Sequence, residues 1–165
     1  MDQSAVTQAA ELLVAARRTG KLLDALPASC KPQTLDDAFA IQDATLAALG
    51  ETVAGWKAAL VNGRVVRGAI MASRVFESGA RVAAATMPLL GIEAEIAFRF
   101  ERDLPPGQYS YEDVAAAVSA FAAIEIVDSR FRSHHDVTEQ ERNADSSPTA
   151  ASCVVLRRRT GATST

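Results

Sequence analysis

The stretch Ile92–Phe100, with the sequence IEAEIAFRF, decides the fold class. Apolar residues alternate in it with charged or small residues, which is the period of two that characterises a β-strand. The isoleucines and phenylalanines fall on one face, whereas Glu93, Glu95, Ala97 and Arg99 fall on the other. The chain is therefore predicted to contain a β-sheet with one apolar face and one face that carries two carboxylates.

Two helices are predicted before this strand. The first has apolar residues at helical spacing over Val6–Ala16 and ends at Gly20. The second begins at Thr34, which can form a capping box with Asp37, and ends at Gly50. We expect these two helices to form an antiparallel pair.

The remaining elements are predicted to be short. Four β-like runs follow the helices, namely Val53–Leu60, Val65–Val66, Arg74–Phe76 and Ala80–Ala83. Beyond the long strand, Ser110 caps a third helix whose apolar positions extend to Phe121. This helix leads into a short strand over Ile124–Ser129.

The order of elements predicts an α+β chain with three parts. A helical cap spans residues 1–50, a β-rich core spans 51–147, and a divergent tail spans 148–165. The tail has no apolar periodicity and contains three consecutive arginines at 157–159, so we expect it to be disordered.

Composition excludes several classes of function. The 17 basic and 20 acidic residues give a formal net charge of −3, which argues against a nucleic-acid binder. The longest nearly apolar run, Val114–Ile124, is too short to span a membrane. Since the N-terminus also lacks the pattern of a secretory signal, we expect a cytoplasmic protein. Cys30 and Cys153 are expected to be inert thiols.

Three glutamates are candidates for chemistry. Glu93 and Glu95 share one strand face, where they either hold a cation between them or form an ordinary solvated face. Glu125 lies in an otherwise apolar run and needs a partner because a buried carboxylate is costly. All three together can form an oxygen-rich site for Mg²⁺ or Mn²⁺. Alternatively, Glu125 pairs with Arg99 or Arg130.

Lys57 is a second candidate, because it is a charge within the strand-like run Ala54–Leu60. It can act as a proton carrier or as a positive partner for an anionic substrate, or it can extend from a strand edge into solvent. His134 and His135 are adjacent and are interpreted as loop residues. The sequence contains no glycine-rich nucleotide motif and no serine-hydrolase elbow.

Several segments together resemble a known family over residues 5–147. The matching segments are Asp37–Gln42, Gly55–Lys57, Gly91–Phe98, Arg102–Pro105 and Ala123–Arg130. In order and spacing they resemble the 2-keto-4-pentenoate hydratase and 4-oxalocrotonate decarboxylase group, within the fumarylacetoacetate hydrolase C-terminal superfamily. The resemblance implies the mixed β-sheet core of that superfamily.

The resemblance also implies a site and a chemistry. Carried over by position, Glu93, Glu95 and Glu125 are the ligands of a divalent cation, Mg²⁺ or Mn²⁺, and Lys57 is the catalytic lysine of the substrate pocket. The implied activity is that of a metal-dependent lyase, a hydratase acting on 2-hydroxy-2,4-dienoates or 2-oxo acids in aromatic catabolism. The alternatives are a decarboxylase of the same family and a non-catalytic remnant that associates with partner chains. The family also implies a homo-oligomer.

The sequence departs from the family pattern in two places. Many hydratases carry an acidic residue where this chain has Val66 and Arg67. Family members also continue with further strands beyond the length of this chain, so the sheet is expected to be incomplete. After Ser147 an alternative reading frame permits a His-Gly-Gly-Glu sequence that suits the family, which suggests a frameshift.

Overall fold

The computed structural model describes residues 1–87, 89 and 91–145, together with the backbone of residues 155–157. It is a mixture of helices and strands, as predicted. In chain order the elements are α1 (Gln3–Thr19), α2 (Leu35–Leu49), β1 (Val53–Val61), β2 (Arg64–Met71), β3 (Val75–Glu77), β4 (Gly91–Phe100), α3 (Tyr111–Ala115), β5 (Val118–Val127), α4 (Glu139–Ala144) and β6 (Val155–Arg157). No helix in the described part of the chain is long and apolar enough to cross a membrane.

Both N-terminal helices end at the glycines that the sequence indicates, and α2 also begins at the predicted residue. Helix α1 ends at Gly20, whose φ of 70° is the left-handed conformation that glycine adopts without strain. Helix α2 begins with the predicted capping box of Thr34 and Asp37 and ends at Gly50. The helices contribute to one buried cluster with residues from the loop after β5 and from α4: Val6, Ala9, Leu13, Ala38, Ile41, Phe131, Val137 and Ala144.

Strands β1 and β2 form a separate antiparallel hairpin. Asn62 and Gly63 form its turn, both with positive φ, as the tight turns of hairpins require. The strand predicted over Val53–Leu60 is confirmed, whereas β2 extends well beyond the predicted Val65–Val66. This hairpin carries Lys57, which lies opposite Gly68.

The second sheet has four strands in the order β3-β6-β5-β4. Strands β4 and β5 are antiparallel and in register from Gly91 opposite Val127 to Phe100 opposite Val118. A side chain at Gly91 would place its Cβ 2.9 Å from the Cβ of Val127, so this close approach requires glycine. Strand β3 is parallel to β6, which makes the sheet mixed.

The structure corrects two predicted elements. The third helix has the predicted cap at Ser110 but ends at Ala115, and Val118–Phe121 belongs to a ten-residue strand. The reason is that pairing with β4 satisfies the backbone hydrogen bonds along this whole segment. Residues Ala80–Ala83 form no strand but precede a short 3₁₀ turn at Ala84–Thr86. The predicted disordered tail over 148–165 lies outside the described residues, apart from the strand backbone of 155–157.

The apolar face of β4 is exposed to solvent. The relative exposure of Ile92, Ile96, Phe98 and Phe100 ranges from 57% to 72%. On β5, Ile126 is buried against Met87, but Ile124 on the same face is 41% exposed. We call the exposed residues Ile92, Ile96, Phe98, Phe100 and Ile124 the open face.

Candidate metal centre

The register of β4 and β5 brings the three glutamates together. Glu93 lies directly opposite Glu125, and Glu95 lies two residues along β4 on the same face. One carboxylate oxygen from each residue lies within 4.8 Å of the other two. The convergence predicted from the sequence is therefore present in the fold.

The three carboxylates differ in their access to solvent. Glu93 and Glu95 are exposed, whereas Glu125 is only 2% exposed. Burial raises the pKa of Glu125 above its ordinary value, and the nearby charges of Glu93 and Glu95 add to this effect. Lys57 acts in the opposite direction but does not cancel the rise. A buried carboxylate with two others beside it needs positive charge nearby.

Lys57 supplies part of that charge. Its Nζ lies 2.7 Å from Oε1 and 2.6 Å from Oε2 of Glu125, and 3.8 Å from Oε2 of Glu93. The lysine side chain is 18% exposed, so it points into the site and does not extend into solvent. Strand β1 thus contributes a cation to a site whose acids come from β4 and β5.

The alternative partners predicted for Glu125 are wrong. The guanidinium of Arg130 lies 3.5 Å from Asp128, and that of Arg99 lies 5.4 Å from the centre of the Phe121 ring. The register explains the case of Arg99, because this residue lies opposite Ser119 and diagonal to Phe121, far along the strand from Glu125.

The donor set fits a hard divalent cation. Carboxylate oxygens are the ligands that Mg²⁺ and Ca²⁺ prefer, and Mn²⁺ accepts them as well. Three carboxylates and one ammonium carry a formal charge of −3 + 1 = −2, counted over Glu93, Glu95, Glu125 and Lys57. One divalent cation would balance this charge.

A buried ionic cluster just beyond Glu125 was not predicted from the sequence. Arg17 lies 2.9 Å from Asp145, and Arg130 lies 3.4 Å from Asp145 and 3.5 Å from Asp128. Burial and the neighbouring Arg130 lower the pKa of Arg17 to about 10. Asp128 also accepts a hydrogen bond of 3.0 Å from the backbone N–H of Leu89. The cluster joins the end of β5 to α1 and α4, elements far apart in sequence, so no local pattern could have revealed it.

Arg67 lies in the region where the resemblance implied an acidic residue. Its guanidinium lies between two rings, 4.7 Å from the centre of Phe39 and 4.5 Å from that of Trp56. It also forms hydrogen bonds of 2.9 and 3.0 Å with the carboxylate of Asp43. These contacts tie β2 to α2.

The other candidate residues do not join the site. His134 and His135 lie in a turn with their ring centres 3.8 Å apart, as predicted for loop residues. Cys30 is a buried free thiol whose pKa is raised by burial. Cys153 lies outside the described residues.

No protein-family model matches the chain, but individual proteins resemble it in sequence and in fold. The comparisons support a relation to the 2-keto-4-pentenoate hydratases, to which the chain is similar in sequence, and a 4-oxalocrotonate decarboxylase has the same fold. A 2-keto-4-pentenoate hydratase of Burkholderia vietnamiensis is 31% identical over 144 residues, which cover 79% of this chain and 55% of the relative. The hydratase of Paraburkholderia phymatum matches with the same identity and coverage.

Solved structures show the same fold. One of them is the 4-oxalocrotonate decarboxylase from Pseudomonas putida G7, complexed with magnesium and adipate. It superposes on this chain with a TM-score of 0.78 at 19% sequence identity, and the match covers 95% of this chain and 63% of the decarboxylase. Its complex with calcium and acetate gives a TM-score of 0.76 at the same identity. The chain thus spans about half the length of the curated relatives that it matches.

Proposed function

We propose that this chain carries the divalent-cation centre and the catalytic lysine of a metal-dependent lyase. Its substrates would be 2-hydroxy-2,4-dienoates or 2-oxo acids. The observation that supports this most strongly is the convergence of Glu93, Glu95 and Glu125 within 4.8 Å beside Lys57. The three glutamates would hold Mg²⁺ or Mn²⁺, and magnesium and calcium accompany the decarboxylase relative in its structures.

Each group has a role in this proposal. A divalent cation at this site would supply Lewis-acid stabilisation to a developing enolate. Lys57 holds a proton on Nζ at 2.6 to 2.7 Å from the Glu125 carboxylate, where it can neutralise a substrate carboxylate or relay a proton. Glu125 keeps the ammonium in place because its carboxylate is bonded through both oxygens.

Hydration is the first candidate reaction, because the curated relatives at 31% identity are hydratases. Decarboxylation is the second candidate, and it is supported by the similarity of fold to a decarboxylase. A third candidate is a non-catalytic remnant that associates with partner chains, which the open face favours. We further propose the division predicted from the sequence, with an N-terminal helix pair over 1–50 and a partial core of the fumarylacetoacetate hydrolase type over 51–147. The cytoplasmic setting and the role in aromatic catabolism stay predictions.

Direct titration with Mn²⁺ by calorimetry tests the cation site. We expect one Mn²⁺ per chain in the wild type and a loss of affinity of at least tenfold in each of Glu93→Gln, Glu95→Gln and Glu125→Gln. Glu112→Gln is the matched control because this glutamate is exposed on α3, away from the cluster. Wild-type affinity in all three cluster variants would contradict the assignment.

The reaction itself is tested by spectroscopy with a 2-hydroxy-2,4-dienoate. A hydratase removes the absorbance of the conjugated diene without releasing CO₂, whereas a decarboxylase releases CO₂ from a 2-oxo diacid. If the chain binds Mn²⁺ but turns over neither substrate, the result would support the third candidate, a non-catalytic remnant.

A further inference from the structure

A cavity of about 290 Å³ lies where the C-terminal ends of α1 and α2 meet the end of β2. We call it the arginine cavity, because three of its lining residues are Arg17, Arg18 and Arg74. It shares no residue with the cluster of three glutamates and Lys57. Ligand sites in proteins usually have volumes of about 300–1,000 Å³, so the arginine cavity has room for a small ligand only.

The three arginines reach the cavity from two elements. Arg17 and Arg18 lie in the last turn of α1, and Arg74 ends the single turn of 3₁₀ helix that follows β2. A guanidinium group presents its N–H donors as a planar fork, which matches the paired oxygens of a carboxylate or a phosphate. The lining therefore has the donors that recognise an oxyanion.

The arginines differ in the partners that the protein gives them. Arg17 donates to Oδ1 of Asp145 at 2.9 Å, and Arg18 donates to the carbonyl of Ala48 at 3.3 Å. Arg74 is half-buried, and among the described residues no hydrogen bond or ion pair reaches it. Because a charge that has lost part of its hydration needs a counter-charge, Arg74 is the group that a bound anion would satisfy.

Positive charge is in excess around the cavity. Burial lowers the pKa of Arg17 to about 10, and the nearby positive charges, that of Arg74 among them, add to this effect. The acid of the lining is Glu51, whose carboxylate accepts a hydrogen bond of 2.7 Å from the Ser73 hydroxyl. Three guanidinium groups thus face two carboxylates, those of Glu51 and Asp145, which leaves a formal charge of +1.

We propose that the arginine cavity binds a small anion through a carboxylate or phosphate group, with Arg74 as its main partner. Arg18 supplies a second guanidinium, since its bond to Ala48 uses one of its five N–H donors. Arg17 is held by Asp145 and contributes mainly its charge. This site is independent of the proposed lyase activity, because it and the glutamate cluster have no residue in common.

Titration calorimetry of the full chain tests the site with two probes, inorganic phosphate and malonate, at constant ionic strength and without divalent cations. We expect one anion per chain with a Kd on the order of 1 mM for at least one probe, and the tighter probe identifies the anionic group. Arg74→Gln should raise that Kd about tenfold or more. Arg102→Gln is the matched control, because Arg102 is exposed in the loop after β4. No saturable binding of either probe, or an unchanged Kd in Arg74→Gln, would overturn the proposal.

A substitution of opposite sign separates the charge effect from a folding defect. Glu51→Gln removes the acid of the lining but keeps an amide oxygen for the Ser73 hydroxyl, so it should lower the Kd of the anion about threefold. Arg74→Lys keeps the charge but loses the planar fork, so its Kd should lie between those of the wild type and Arg74→Gln. Weaker or unchanged binding in Glu51→Gln would contradict the charge account of the cavity. Far-UV circular dichroism of each variant checks that the chain remains folded.

Discussion

Lys57 and Glu125 are the most tightly coupled residues of the candidate site. The carboxylate is almost fully buried, and both of its oxygens contact the ammonium at 2.6 to 2.7 Å. Removing the lysine leaves a buried carboxylate beside Glu93 and Glu95 with less positive charge, whereas removing both partners leaves no such imbalance.

Lys57→Met is therefore expected to lower the free energy of unfolding at pH 7 by about 2 kcal/mol. Lys57→Met combined with Glu125→Met should recover most of this loss, which a double-mutant cycle by urea unfolding measures. Lys21→Met, at an exposed position, should change the free energy of unfolding by less than about 0.5 kcal/mol. Additive effects of the two site substitutions would show that the pair is not coupled.

At the residue scale, the sequence identified the three glutamates but did not identify Lys57 as the partner of Glu125. A carboxylate within an apolar run signals that a counter-charge is needed, and the period of two places Glu93 beside Glu95. The choice of Lys57 over Arg99 and Arg130 depends on where the β1–β2 hairpin lies against the second sheet. That placement depends on contacts between residues far apart in the sequence, so no local pattern could have predicted it.

At the scale of elements, the segment after Ser110 shows how two patterns can coincide. Apolar residues at Val114, Val118 and Phe121 suit a helix, yet the same small and apolar residues also suit a strand. The capping box fixes where α3 begins, but pairing with β4 decides where it ends. The C-terminal ends of α1 and α2 were predictable because glycines with positive φ terminate them, and a capping box also marks the start of α2.

Helix α4 depends on one buried acid. Glu141 accepts hydrogen bonds from the backbone N–H of Leu26 at 2.8 Å and from both the N–H and the hydroxyl of Thr138 at 2.9 Å. Burial acts to raise the pKa of Glu141, but these hydrogen bonds outweigh it, so the pKa lies below its ordinary value of 4.5. The stabilisation from a lowered pKa is complete above the unfolded value and is lost as the pH falls through the folded value.

Glu141→Gln should thus destabilise the chain by about 1–3 kcal/mol at pH 7, since an amide cannot accept all three hydrogen bonds. The difference in unfolding free energy from the wild type should shrink as the pH falls below 4.5, because the wild-type carboxyl then becomes neutral. Urea unfolding at pH 7, 5 and 3.5 measures this difference. Glu139→Gln, exposed on the same helix, is the control, and a pH-independent difference for Glu141→Gln would contradict the account.

At the scale of the whole molecule, the cluster of three glutamates lies on one face of a sheet whose other face is open to solvent. The chain spans about half of its curated relatives, and its apolar side chains on β4 remain exposed. The alternation in Ile92–Phe100 predicted an apolar face, but the pattern alone does not say what covers it. Whether this apolar face is covered depends on segments distant in sequence or on a second chain.

The most direct test of the central claim is scanning calorimetry of the chain with and without millimolar Mg²⁺. If the three glutamates hold a divalent cation in the folded state, the Tm should rise by about 3–6 °C in the wild type. The Tm of Glu95→Gln should not rise, because this exposed residue contributes to cation binding without being needed for the fold. A wild-type Tm indifferent to Mg²⁺, or an equal rise in the variant, would contradict the assignment of Glu93, Glu95 and Glu125 as a metal centre.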